Sequence, residues 1–170
     1  MPDLVDEGID VLLSGINPSL WSVAVGHHFA RPGNRFWPAL ADAGFTDRVL
    51  QPHEEHELLD AGIGITNVCM RGTARADELT REELRNGRVE LEAKVERWRP
   101  GVLAVLGVTA YRDAFERPGA TFGLQPDTIG DTAIWVLPNP SGLNAHFQRA
   151  DLARVFGELR TYVRERRHCS

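Results

Sequence analysis

The sequence predicts a single three-layer α/β/α domain with a mainly parallel central sheet. Four short strand-like segments are separated by segments whose apolar residues recur at helical spacing. Such alternation is typical of parallel strands covered by helices on both faces. The chain has 170 residues, of which 42% are hydrophobic, which suits one domain with a sizeable core. We expect this domain to span residues 1–170, with frayed ends at about 1–7 and 165–170.

The first half of the chain contains two of the predicted strands. Residues 9–13 form an apolar segment closed by Gly15 and Pro18, and a loop is expected from there to about Gly33. Asn34 is a suitable N-cap for a helix with apolar residues at 36, 37, 40 and 41, which Gly44 ends. A short helix at 53–59 and a strand at 64–69 follow.

The second half contains the longest predicted helices. Thr80 and Glu83 form a capping-box pattern before a helix with apolar residues at 84, 91, 95 and 98, which Pro100 stops. A strand at 102–106, a helix at 108–115 and a strand at 133–137 follow. Apolar residues at 152, 155, 156, 159, 162 and 163 predict a strongly amphipathic C-terminal helix.

The composition of the chain argues against a membrane, secreted or metal-binding protein. No apolar segment approaches the length of a membrane span, and the acidic start lacks the layout of a secretory signal, so we expect a cytoplasmic protein. The cysteines, Cys69 and Cys169, are too few for a four-thiolate zinc site or an iron–sulfur cluster. The histidines show no repeated ligand spacing. We therefore expect neither a metal nor a cofactor.

The charge pattern leaves nucleic acid open as a partner. A net charge of −5 argues weakly against bulk affinity for a polyanion. Arginines nevertheless lie in the predicted loop segments, at positions 31, 35, 71 and 75. We expect at most a small basic footprint around a cleft on an otherwise acidic body.

Two breaker-rich segments each follow a predicted strand, GINPS at 15–19 and NPSGL at 139–143. In open α/β sheets, ligands bind outside the carboxyl ends of the strands, so these loops are expected to converge on one site. Asn17 with Pro18 is an ordinary turn pair, but an Asn amide also holds a water by hydrogen bonds. A water held in this way suffices for cleaving a bond whose attacked carbon is already cationic in character.

Two apolar loop residues also have alternative interpretations. Leu143 either folds back on the core or is a wedge that enters a base stack from which a nucleotide has been extruded. The neighbouring Gly142 permits close backbone approach to bases. Phe29 either anchors its loop on the core or supplies a face on which an extruded base stacks.

These segments together resemble the mismatch-specific uracil/thymine-DNA glycosylases, within the uracil-DNA glycosylase superfamily. The matching segments span nearly the whole chain in the expected order: GINPSLWS (15–22), GHHFARPGNRFW (26–37), GIGITN (62–67), FGLQP (122–126) and NPSGLNA (139–145). The resemblance implies that Asn17 positions the attacking water and that Thr66 helps to hold it. It implies a base pocket at Gly15, Ile16, Ser22, Phe29 and Asn139, and DNA contacts at Ser141, Gly142, Leu143 and Asn144.

The chain also departs from its relatives. The highly active uracil-specific branch has Asp and His where Asn17 and Asn139 stand, so a slower and less selective catalyst is expected. Bacterial mismatch enzymes follow the wedge Leu with Ser and Arg, where this chain has Asn144 and Ala145. His146 and Arg149 are candidates for replacing the lost charge. Ser22 is expected to disfavour thymine, because its size decides whether a C5 methyl fits.

The resemblance implies a monofunctional DNA glycosylase that hydrolyses the N-glycosidic bond of uracil opposite guanine and initiates base excision repair. Ethenocytosine is a further candidate substrate, and no lyase activity is expected because no Lys is placed to form a Schiff base. We expect a monomer without a cofactor, bound to double-stranded DNA with a mismatched or damaged pyrimidine and then nucleoid-associated. The alternatives are a mismatch or abasic-site binding module with little turnover, and a Rossmann-like nucleotide binder, disfavoured because a Gly-rich phosphate loop is missing.

Overall fold

A five-stranded sheet forms the centre of the computed structural model, which describes residues 1–168. The strand order is β2-β1-β3-β5-β4, and β2, β1, β3 and β5 run parallel. Only β4 runs antiparallel, beside β5 at the edge. The mainly parallel sheet is thus confirmed. The strands are β1 (Val11–Gly15), β2 (Ile63–Asn67), β3 (Val102–Leu106), β4 (Gly123–Ile129) and β5 (Thr132–Leu137).

Helices cover both faces of this sheet. They are α1 (Leu20–Val25), α2 (Phe36–Asp42), α3 (Glu57–Asp60), α4 (Arg81–Trp98), α5 (Val108–Ala114) and α6 (Arg149–His168), with 3₁₀ turns at Pro52–Glu54 and Ala76–Glu78. The predicted capping box is confirmed: the Thr80 hydroxyl accepts from Glu83 N at 3.1 Å, and the Glu83 carboxylate accepts from Thr80 N. The long helix ends at Trp98, before Pro100 as predicted.

Alternating strand residues supply two cores, because successive side chains of a strand point to opposite faces. Val11 and Leu13 pack into one core, whereas Leu12 packs into the other. The first core contains buried side chains of α2, α3 and α6, including Phe36 and Phe156. The second contains those of α4 and α5. Two cores separated by one sheet confirm the three-layer α/β/α prediction.

Several boundaries differ from those predicted. The first strand starts and ends two residues later than expected, because its ladder with β2 continues to Gly15 opposite Asn67. The expected loop after it contains α1, which Ser19 caps by accepting from Ser22 N. Arg35, rather than Asn34, occupies the N-cap of α2, although the Asn34 side chain accepts from Phe36 N at 2.9 Å. The antiparallel β4 was not predicted, since three of the seven residues of this edge strand are polar: Gln125, Asp127 and Thr128.

Residues in both of the segments that were expected to be frayed lie in contacts or in a helix. Leu4 is buried and forms a bridge with Ile65 of β2, and Asp3 pairs with Lys94 at 2.8 Å. These contacts hold the first residues against the sheet. Residues 165–168 belong to α6, and the remaining residues of the predicted frayed end, 169–170 with Cys169, lie outside the described residues.

Candidate functional site

A cleft of about 370 Å³ opens at the carboxyl ends of the parallel strands. The segment that follows β1, from Ile16 to Ser19, forms one wall, and Asn139, Ser141, Leu143 and Asn144 after β5 form another. The structure therefore brings together the two breaker-rich loops, which lie more than a hundred positions apart in the sequence. Parallel strands cause this convergence, since their carboxyl ends meet at one edge of the sheet.

Asn17 is half-buried on the cleft wall, and its carboxamide is held by its nitrogen. Nδ2 donates to the Arg71 carbonyl at 2.8 Å and to Thr73 Oγ1 at 2.7 Å. Both N–H groups of the amide thus have protein acceptors. Within residues 1–168, Oδ1 has no hydrogen-bond donor, which leaves it as the atom that the amide offers to a ligand in the cleft.

Thr73, which lies between Arg71 and Arg75, is a part of the site that sequence reasoning missed. Its backbone pairs with the loop after β1: Thr73 N donates to Pro18 O, and Leu20 N donates to Thr73 O, each at 3.2 Å. The Thr73 side chain is buried, and its hydroxyl donates to the Arg75 carbonyl at 2.7 Å. A single polar Thr in an irregular segment carries no periodic signal, so the sequence offered no means of finding it.

Gly15 and Phe29 lie in contact beneath the Asn17 loop. A Cβ on Gly15 would come within 3.2 Å of Phe29 Cζ and 2.5 Å of Asn67 Oδ1, so a side chain at this position would displace the Asn67 amide. Phe29 has a positive φ of 51° and stacks on Phe36, with ring centroids 4.0 Å apart. The stacking on Phe36 holds the Phe29 ring in place, and this ring lines the cleft together with Ile16.

Ser22 lies on α1 and reaches the cleft although it is almost fully buried. Its Oγ accepts from Ala30 N at 3.0 Å and lies 3.1 Å from Ser19 Oγ. The hydroxyl thereby ties α1 to the segment that carries Phe29. Ser22 accordingly supports the shape of the cleft in addition to lining it.

Two neighbouring residues of β2, Thr66 and Asn67, take opposite directions, as strand geometry requires. The Thr66 hydroxyl is buried away from the cleft and donates to Asp3 Oδ1 at 2.8 Å. Asn67 lines the cleft and is only 4% exposed, yet its side chain makes no hydrogen bond within residues 1–168. The structure thus places Asn67 at the cleft, and not the Thr66 that the resemblance indicated.

His28 lies buried at the back of the cleft. Its Nε2 is 2.9 Å from the Pro2 carbonyl, and because a carbonyl only accepts, Nε2 carries a proton. Glu55, also buried, accepts from His28 N at 2.9 Å. Burial lowers the pKa of His28 below its usual value, and the Glu55 charge opposes this shift only in part. The neutral imidazole is therefore favoured near neutral pH.

The second loop is held by its own side chains and by Arg35. Asn139 Oδ1 accepts from Ser141 N at 2.9 Å, and Asn144 Nδ2 donates to Asn139 O at 3.0 Å. The Arg35 guanidinium donates to the carbonyls of Ser141 at 2.8 Å, Asn144 at 3.0 Å and Phe147. The loop is thus ordered by hydrogen bonds from end to end.

At the tip of this loop, Leu143 is 62% exposed. Gly142 precedes it and packs against Gly33, where an added Cβ would come within 2.7 Å of the Gly33 carbonyl oxygen. Leu143 therefore does not fold back on the core, which was the ordinary interpretation of an apolar loop residue.

The basic footprint of the cleft is smaller than the sequence suggested. Arg71 pairs with Glu83 at 2.8 Å and Arg75 with Asp77 at 3.2 Å. Arg35 is committed to the second loop. Arg31 lines the cleft without an ion pair in the described part of the chain. No group of three or more His, Cys, Asp or Glu that could hold a metal occurs within residues 1–168.

The fold and this cleft define a class of protein: an α/β/α domain with a cleft built from the loops at the carboxyl ends of its strands, where such sheets bind their ligands. The sequence model of the Uracil DNA glycosylase superfamily matches residues 2–160, which include every strand and every loop of the cleft. The chain belongs to this superfamily. Members are DNA glycosylases, hydrolases that act on uracil-type lesions in DNA repair. No helix within residues 1–168 is long and apolar enough to cross a membrane.

Proposed function

We propose that this chain is a monofunctional glycosylase of the mismatch-specific branch, which excises uracil opposite guanine in double-stranded DNA. The observation that carries this proposal is the hydrogen bonding of the Asn17 carboxamide. Its two N–H groups are bound to protein acceptors, and among residues 1–168 its Oδ1 has no partner on the wall of the cleft. An oxygen held in this way accepts a hydrogen bond from a water and orients that water toward a bound nucleotide.

The proposed reaction depends on orienting the attacking water more than on a base that removes its proton. The water oxygen forms a bond to C1′ of the deoxyribose, and the bond from C1′ to the base breaks with its electron pair leaving on the base. Because C1′ gains cationic character before attack, a neutral amide that only orients the water is sufficient. The water proton passes to solvent, since the Asn17 carboxamide is too weak a base to take it.

The base pocket that we propose is formed by Gly15, Ile16, Ser22, Phe29 and Asn139. Support comes from Phe29, whose ring is held by Phe36 on one side and lines the cleft. A planar pyrimidine stacks well on such a fixed aromatic ring. We add Asn67 to this pocket, because its amide, which has no partner in the part of the chain that the structure describes, lies against Gly15 beside the Phe29 ring. Ethenocytosine remains a second candidate substrate.

DNA contacts are assigned to the second loop, at Ser141, Gly142, Leu143 and Asn144. The exposed Leu143 on an ordered loop supports the role of a wedge that fills the space of the extruded nucleotide. The geometry does not support the water-holding role that the resemblance implied for Thr66, because the Thr66 hydroxyl donates to Asp3 away from the cleft. We therefore propose that Thr66 holds the N-terminal segment instead.

The absence of lyase activity is part of the proposal. A glycosylase that also cleaves the strand forms a Schiff base with the sugar, for which a lysine amine is the usual group. Lys94, the single lysine of the sequence, lies on α4 and pairs with Asp3 at 2.8 Å. It does not line the cleft.

Excision from a labelled duplex with uracil opposite guanine tests the proposed function. Alkali cleaves the strand at an abasic site, so product bands that need alkali indicate a monofunctional enzyme. Asn17→Ala is expected to lower the single-turnover rate by about a hundredfold or more, because misplacing a reactant by the loss of a positioning group can cost that much. Asn86→Ala, the same change on the exposed face of α4, is the matched control.

The outcomes separate the enzyme from a binding module. Tight retention of the mismatched duplex with no abasic product would favour a mismatch or abasic-site binding module. Equal excision from uracil paired with guanine and with adenine would remove the mismatch assignment while leaving the glycosylase intact. Full activity in the Asn17→Ala variant would refute the role of the amide.

A further inference from the structure

We propose that Thr73 is a positioning residue that sets the orientation of the Asn17 carboxamide. This inference rests on the proposed function, since it matters only if Asn17 Oδ1 orients the attacking water. Thr73 has no place in the motif segments of the sequence and lies 56 positions from Asn17. The two side chains meet because the segment after β2 pairs with the loop after β1.

The hydrogen-bond directions leave the Asn17 amide one orientation. The Arg71 carbonyl only accepts, so the Asn17 atom at 2.8 Å from it is the nitrogen. The Thr73 hydroxyl gives its single proton to the Arg75 carbonyl at 2.7 Å and therefore meets Asn17 as an acceptor. If the amide were flipped, Oδ1 would face the Arg71 carbonyl without a proton between them, and the Thr73 hydroxyl could donate to Oδ1 only by giving up its bond to the Arg75 carbonyl. That arrangement is repulsive, so Oδ1 stays on the cleft side.

The Thr73 hydroxyl can be removed without displacing the segment that carries it. Two backbone bonds tie Thr73 to the first loop, from its N–H to Pro18 and from Leu20 to its carbonyl. Neither bond uses the side chain. A variant without the hydroxyl therefore keeps the segment in place while one Asn17 N–H loses its acceptor. The amide then turns more freely about its side-chain bond, and Oδ1 spends less time facing the water.

Thr73→Val is the direct test, because valine has nearly the same shape and no hydroxyl. We expect its single-turnover excision rate on the uracil–guanine duplex to fall about tenfold, which corresponds to roughly 1.4 kcal/mol of barrier. The affinity for the same duplex is expected to stay unchanged, since Thr73 acts through Asn17 on the chemical step. Thr73→Ser keeps the hydroxyl and is expected to retain most of the rate.

Thr132→Val is the matched control for loss of a buried hydroxyl. Thr132 and Thr73 are each 4% exposed, and each donates to a main-chain carbonyl at 2.7 Å. Thr132, however, begins β5 at the opposite end of the sheet from the cleft. Both valine variants are expected to lose similar thermal stability, but only Thr73→Val is expected to lose rate. Equal loss of rate in both would overturn the positioning role.

The remaining outcomes separate this inference from the proposed function. If Asn17→Ala is inactive while Thr73→Val excises uracil at the wild-type rate, the positioning role alone is refuted. If Asn17→Ala is fully active, the proposed function fails and the role of Thr73 fails with it. If Thr73→Ser is as slow as Thr73→Val, the hydroxyl is not the group that matters.

Discussion

Replacing Arg35 with Met tests how the loop that carries Leu143 is kept in place. Arg35 occupies the N-cap of α2, and its guanidinium donates to the loop carbonyls of Ser141, Asn144 and Phe147. Methionine keeps much of the apolar stem and removes every one of these donors. The backbone bond from Arg35 N to the Pro140 carbonyl at 2.9 Å remains, so α2 keeps its own connection to the loop.

The expected magnitude follows from the three lost hydrogen bonds. At about 1 kcal/mol net for each bond, the ordered loop loses roughly 3 kcal/mol relative to its other conformations. Since 1.4 kcal/mol is a factor of ten, this corresponds to roughly a hundredfold shift between ordered and disordered loop. If the loop must leave its ordered conformation before the DNA dissociates, the same loss raises the dissociation rate by up to that factor.

The assay is dissociation from a duplex that carries an abasic site opposite guanine. We expect Arg35→Met to leave this product up to about a hundredfold faster than the wild type. Leu143→Ala is expected to act in the same direction, because it removes the wedge itself. In the double variant the two effects are not additive, since a disordered loop no longer presents residue 143.

Arg117→Met is the matched control for the Arg35 experiment. Arg117 pairs with Asp127 at 2.6 Å on an exposed part of the surface, where such a pair contributes little to stability. Its dissociation rate is expected to equal that of the wild type. The reasoning is refuted if Arg35→Met dissociates at the wild-type rate while Leu143→Ala dissociates faster, because the wedge would then act without the guanidinium.

Three further predictions concern single side chains. Ser22→Ala is expected to raise the ratio of thymine to uracil excision, and to slow both reactions because Ala30 N loses its acceptor; an unchanged ratio contradicts the assignment. Because burial lowers the pKa of His28 from 6.5, the unfolded chain binds more protons on acidification. The unfolding free energy from urea titration should therefore decrease as the pH is lowered from about 7.5 to about 5.5. The decrease should be smaller in His28→Gln, which lacks this imidazole. Burial raises the pKa of the Cys69 thiol to about 11, so in a Cys169→Ser variant Cys69 should resist alkylation until urea unfolds the chain.

Elements set by neighbouring residues were predictable from the sequence. The capping box of Thr80 and Glu83, the stop before Pro100 and the β3 strand at 102–106 all agree with the structure. Each depends on residues within a few positions of one another. The six-residue α1 and the edge strand β4 were missed, because α1 is too short to show a helical period and β4 lacks a continuous apolar segment.

The candidate site was predictable only in outline. The loops at 15–19 and 139–143 were placed at one site because parallel strands bring their carboxyl ends to the same edge. Which side chain of β2 faces the cleft depended on the pairing register, and the structure places Asn67 there while Thr66 contacts Asp3. A shift of one residue exchanges the two faces of a strand, so sequence alone cannot distinguish them.

The sequence by itself determined the α/β/α architecture, the two loops of the cleft and the chemistry available at Asn17, since these follow from periodicity, turn formers and residue type. Only the tertiary structure decided how Asn17 is oriented and how the Leu143 loop is held. Thr73 lies 56 positions from Asn17, and Asn144 lies 109 positions from Arg35. Hydrogen bonds across such separations depend on where distant backbone segments meet, and no local pattern records that.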